Sequence, residues 1–116
     1  MSNQRRYPRV ARLNELVQQI LADELERIDD DRLELVTIMR VDVDPDLRHA
    51  TVYVDTPEGA ARDEAVLEAL QDDRARLQAA VARQARLKRT PHLAFRPDEV
   101  ERGAQRVEDV LRHLDP

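Results

Sequence analysis

The apolar residues of this 116-residue chain change their period four times, and the order of those changes constrains the fold more than any other feature. Val10, Leu13, Val17, Ile20, Leu21, Leu25 and Ile28 recur at steps of three and four, one stripe along a helix of about five turns. Pro8 fits its first turn. Asp29, Asp30 and Asp31 oppose the macrodipole at its far end, so the helix should stop before it includes all three. Period two follows. Val36, Ile38, Val41 and Val43, separated mostly by β-branched or apolar residues, predict a strand buried on much of both faces. Its apolar phase slips between Ile38 and Val41, the mark of a bulge. Asp44-Pro45-Asp46 is turn chemistry, and Ala50, Val52 and Val54 then alternate with Thr51, Tyr53 and Asp55 as a half-exposed strand. The two strands form an antiparallel hairpin, which Thr56-Pro57-Glu58-Gly59 closes off.

Residues 61–88 hold no Gly or Pro and are rich in Ala, Leu, Glu, Gln and Arg, which predicts helix. Leu67, Leu70, Leu77 and Val81 share a face that is interrupted at Asp72-Asp73-Arg74. Two segments with a break there are expected; one uninterrupted helix is the alternative. Pro91 ends the element, Leu93 and Phe95 flank Ala94 in a short third strand that stops at Pro97, and Val100, Val107, Val110 and Leu111 give a weaker C-terminal helical stripe. A hairpin plus a helical crossover implies an α+β fold: a three-stranded mixed sheet with helices packed on one face and the face bearing Thr51 and Tyr53 left open. One domain over residues 1–116 is expected, ordered from about 8 to 112.

Several function classes drop out. There is no cysteine, which removes disulfides, thiolate metal sites and a Cys nucleophile. Gly59 and Gly103 are the only glycines, too few for a phosphate-cradling loop of the P-loop, Rossmann or GxxG kind. Ser2 is the only serine. No apolar run approaches the roughly 20 residues that span a bilayer, so a soluble cytoplasmic protein is expected. His49, His92 and His113 fall in three different elements without a helical ligand pair, and the paired carboxylates lie where helices end or bend. Neither an enzyme, a cofactor nor a metal is expected.

The formal net charge of -5 conceals a strong asymmetry. Residues 22–73 carry 17 acids against 5 arginines, whereas residues 74–96 carry seven cations and no acid. Residues 1–21 add Arg5, Arg6, Arg9 and Arg12 against Glu15 alone. Arg76, Arg83 and Arg86, followed by Lys88 and Arg89, predict a positive ridge along the second half of the long helix and into the loop after it, opposite a packed side at Leu77 and Val81. A guanidinium grips phosphate oxygens two at a time, so these five cations are the candidate RNA contacts and the four N-terminal arginines an auxiliary patch. With Tyr7, Tyr53 and Phe95 the only rings, recognition would be by backbone and shape, as for structured RNA. Arginines that merely pair with the acidic middle are the bland alternative. A protein–protein adaptor that presents an acidic hairpin side around Asp44 and Asp46 to basic proteins is the second functional reading.

Ordered strings carry a further signal. Arg9-Val10-Ala11, Asp31-Arg32-Leu33, Val36-Thr37-Ile38, Val41-Asp42-Val43, Asp44-Pro45-Asp46-Leu47, His49-Ala50 and Val52-Tyr53-Val54 are followed by Arg86-Leu87-Lys88-Arg89, Pro91-His92-Leu93-Ala94-Phe95 and Glu101-Arg102-Gly103-Ala104. Over roughly residues 5–114 the chain resembles the bacterial ribosome-binding factor A family. The resemblance implies a type II KH-like fold, association with the immature small ribosomal subunit and its rRNA, and support of late maturation, most needed in the cold. A free monomer is expected, and ribosomal proteins become the basic partners of the adaptor reading. Members of that family carry an Ala-x-Gly bend in the long helix; the matching positions here read Asp73-Arg74-Ala75, so the bend glycine is absent and Asp73 sets a negative charge near the expected RNA side. Gly103 is expected to serve a turn.

Overall fold

A computed structural model describes residues 2–100, 103, 107 and 110–112, with side chains from residue 9 onward. The elements run α1 (Ser2–Glu26), β1 (Thr37–Val43), β2 (His49–Asp55), α2 (Asp63–Asp72), α3 (Arg74–Ala85) and β3 (His92–Pro97), with 3-10 turns at Asp31–Leu33 and Gly59–Arg62. This is the α+β order expected. The sheet is β1-β2-β3, β1 antiparallel to β2 and β2 parallel to β3, hence mixed.

The first helix buries Val17, Ile20 and Leu21 of the apolar stripe and stops at Glu26, before the three aspartates. Asp30 instead caps the following 3-10 turn, accepting from the Arg32 N–H at 2.9 Å. Pro8 does not open α1. Helical backbone continues back through it to Ser2, at the loss of one intrahelical N–H bond.

In β1 the register slips between Ile38 and Arg40, the bulge expected from the apolar phase. The strand is buried on one face only, contrary to the expectation of burial on both. Ile38, Val41 and Val43 point to the helices, while Arg40 and Asp42 occupy the side that no helix covers. The Arg40 guanidinium lies 3.9 Å from the centroid of the Tyr53 ring and 3.5 Å from the Asp98 carboxylate. That contact leaves Tyr53 half-buried on the open face.

Helix α1 also closes the outer edge of β1. The Gln18 side-chain amide donates to the Ile38 carbonyl at 3.1 Å, and the Asn14 side-chain oxygen accepts from the Val43 N–H at 2.8 Å. Residues 14 and 18 meet 43 and 38 in that order, so α1 runs antiparallel to β1.

The long helical region breaks at Asp73, with φ -100° and ψ 9°. Neither Asp73 nor Ala75, which lies inside α3 at the position of the bend glycine, has a positive φ, so no glycine is required and the break forms without it. Arg86 then takes a left-handed conformation (φ 52°) and ends α3 at Ala85, three residues short of the expected Lys88. The core gathers Leu21, Val52, Val66, Leu70, Leu77, Val81 and Leu93, all essentially inaccessible. Of the C-terminal stripe, the described residues are helical, and Val100, Val107, Val110 and Leu111 are exposed rather than packed. Gly103 belongs to this helical backbone and not to a turn. His113 lies outside the described residues.

Candidate nucleic-acid interface

Strand and helix directions decide which charges meet. The hairpin turn between β1 and β2 is tied to the start of β3, where the His92 N–H donates to the Arg48 carbonyl at 2.8 Å. Helix α3 arrives at the same end of the sheet, its Gln78 accepting from the Leu93 N–H at 3.2 Å. Since α1 runs the opposite way, its early residues lie there as well. This hairpin end therefore collects exposed Arg9 and Arg12 from α1, exposed Arg83 from α3, and exposed Arg86, Lys88 and Arg89 from the loop that follows. Two segments some seventy residues apart in sequence become one cationic surface. Arg5 and Arg6 belong to the first turns of α1, where the backbone alone is described.

Arg76, the first residue of the expected ridge, is placed differently. Its Nε donates to the buried Glu24 carboxylate at 2.9 Å, and a terminal nitrogen reaches the Arg27 carbonyl, so it fastens the start of α3 to the end of α1. Arg27 holds the other oxygen of Glu24 at 3.2 Å. Exposed Arg48 escaped the sequence reading because it stands alone in the acidic middle; only the hairpin register carries it to the cationic end.

The histidines also regroup. His49 and His92 are register partners across β2 and β3, and their rings meet edge to face at 6.2 Å, so they are not far apart as their separation in sequence suggests. Ligand atoms of Asp44, Asp46 and His49 lie within 4.8 Å of one another, fully on the surface. Here the acidic hairpin tip sits beside the cations and tempers them.

The family model of ribosome-binding factor A matches residues 9–111. The chain belongs to the ribosome-binding factor A family. A family member from Rubrobacter xylanophilus is 43% identical over 107 residues, covering 91% of this chain and 87% of the relative. The crystal structure of ribosome-binding factor A from Thermus thermophilus superposes with a TM-score of 0.70 at 35% identity, covering 76% of this chain and 93% of that one. A homology model of the Thermus thermophilus factor, fitted into the cryo-EM map of a 30S–RbfA complex, gives a TM-score of 0.59 at 36% identity over 70% of this chain and 86% of the other.

Within that family fold, the Glu24–Arg76 link makes a stability prediction. The hydrogen bond from Arg76, aided by Arg27, holds the Glu24 carboxyl below its ordinary value of 4.5. Arg32 does the same to Asp30, whose ordinary value is 3.8, through its side chain and its backbone N–H. A lowered carboxyl favours the fold fully above the ordinary value and loses that contribution as pH falls through the folded value. Melting temperature is therefore expected to be level near neutrality and to fall on acidification below about pH 4.5. E24Q should melt lower at pH 7 and show a shallower acid limb, measured by circular dichroism.

Proposed function

We propose that this chain is a non-enzymatic assembly factor that docks on the immature small ribosomal subunit through its rRNA and promotes late rRNA maturation. The observation that carries the reading is the convergence of Arg83, Arg86, Lys88 and Arg89 with Arg9 and Arg12 at the hairpin end. Phosphate is the partner such a surface fits best: six exposed cationic residues, supplied by two elements and a loop, gather toward one end of the sheet. Arg5 and Arg6 are assigned to the same contact by charge and sequence position alone, and Arg76 contributes less, being held by Glu24. The 30S complex of the Thermus thermophilus relative supports the choice of subunit.

Binding alone shifts no population. The factor acts by holding one rRNA arrangement more tightly than its competitor, so it needs neither nucleophile nor cofactor. It works as a cytoplasmic monomer, and the contribution matters most in the cold, where misfolded rRNA escapes slowly. No described helix is long and apolar enough to cross a membrane.

Two measurements test the reading. In a sedimented lysate the protein should travel with free small subunits and not with complete ribosomes. With about four to six phosphates neutralised, the logarithm of affinity should fall with log salt at a slope of roughly -3 to -5. A flat salt response overturns docking by charge.

A further inference from the structure

The other end of the sheet has the opposite character. Where α1 stops, the 3-10 turn begins and β1 starts, a groove of about 680 Å³ opens. Its floor is apolar, formed by Leu25, Ile28, Leu33, Val36 and Ile38. Its rim is acidic, formed by Glu26, Asp29, Asp31 and Glu34, and no Lys, Arg or His lines it. All four rim residues are exposed, and among the described residues none of the four is in an ion pair. Asp30, which also lines it, is held by Arg32 at 2.7 Å. At the mouth, Leu35 is 70% exposed and left-handed (φ 63°), so the fold tolerates both an exposed leucine and a strained one at this point.

We propose that this groove docks a lysine- and arginine-rich segment, carrying large aliphatic side chains, of a protein of the small ribosomal subunit. An apolar floor under an unneutralised acidic rim selects an occupant that is at once aliphatic and cationic. Polynucleotide is repelled by that rim. The chain's own exposed apolar segment does not fit either: residues 97–116 carry six acids against three arginines and would meet like charge. The inference rests on the docking reading above, which sets the chain among basic proteins. It adds a second handhold, separated from the cationic end by the length of β1, about 20 Å for its seven residues. The factor then bridges rRNA and protein across a joint of the subunit.

A peptide titration tests the groove without the subunit, so failure here and failure of rRNA docking are told apart. The probe is a short fluorescein-labelled peptide alternating leucine with lysine, read by anisotropy against the full chain. D29K/E34K should weaken it by at least about tenfold, while a control reversal on α2, E64K/E68K, should leave it within about twofold. Replacing the peptide leucines by serine should abolish binding. Equal loss from both reversals, no loss from D29K/E34K, or no binding by the unaltered chain overturns the proposal. Partner identity comes from the absence of native cysteine. E34C bearing a photocrosslinker, mixed with purified small subunits, should label a basic segment of a subunit protein. Labelling confined to rRNA or to a second copy of this chain overturns it. Loss of co-sedimentation with intact peptide binding strikes the rRNA reading alone.

Discussion

R83E combined with R86E is expected to weaken binding to purified small ribosomal subunits by about a hundredfold while lowering the melting temperature by no more than about 5 °C, the share owed to two carboxylates at the C-terminal end of α3. Each hydrogen bond from a guanidinium to an anion contributes on the order of 1.5–3 kcal/mol, so losing two, with repulsion added, amounts to a factor of a hundred or more. Neither side chain is packed: both are exposed, one on the last turn of α3 and one just past it. Exposed reversals of this kind cost the fold little. R76E should behave differently. It sets a carboxylate against the buried Glu24 and beside the end of α1, so the melting temperature falls and binding is lost only as the folded fraction falls. The contrast between the two variants is the useful reading. If R83E/R86E also unfolds the chain, these arginines belong to the scaffold; if it folds and binds as before, the cationic end is not the docking surface.

The sequence made the elements legible because each is encoded locally. The α1 stripe, the β1 phase slip and the interruption at Asp72-Asp73-Arg74 each come from a few consecutive residues, and each has its counterpart in the structure. The hairpin and the mixed sheet were legible too, but which side chains meet across the fold was not. His49 and His92 are neighbours only because β2 and β3 run in parallel register, and Arg48 joins the cations only through the hairpin. The same limit governed the candidate contacts. Arg76 and Arg83 share a helical face at a spacing of seven, yet Glu24 of α1 faces one of them, which no window within 74–96 contains. The acidic groove lies within one window, residues 22–38, yet its acids read only as charges where a helix ends, and periodicity does not show that the 3-10 turn folds them around an apolar floor. The end of α3 failed differently. Helix propensity runs smoothly through Leu87, and nothing local in Arg86 announces a left-handed residue where glycine is the usual choice.

The cationic surface depends on how firmly α3 is held, and Leu77→Ala measures that. Leu77 is 1% exposed, one turn after the break, and with Ala80 and Val81 it forms the whole buried side of the helix. Truncation removes its transfer free energy and leaves a cavity that neighbours on α1 and the sheet cannot fill, together about 2–5 kcal/mol. Against a total of roughly 5–15 kcal/mol for a chain of this size, that is a large fraction. The melting temperature should drop by on the order of 10 °C or more. Subunit affinity measured well below the new melting point should hold nearly constant, because Arg83 through Arg89 keep their places in the molecules that remain folded. An affinity loss at low temperature, where folding is complete, would instead mean that α3 shifts on its bed when Leu77 is shortened, and that packing tunes the contact as well as supporting it. A melting temperature that barely moves would mean that polar contacts near the start of α3 hold it, Arg76 on Glu24 and Gln78 on the β3 backbone.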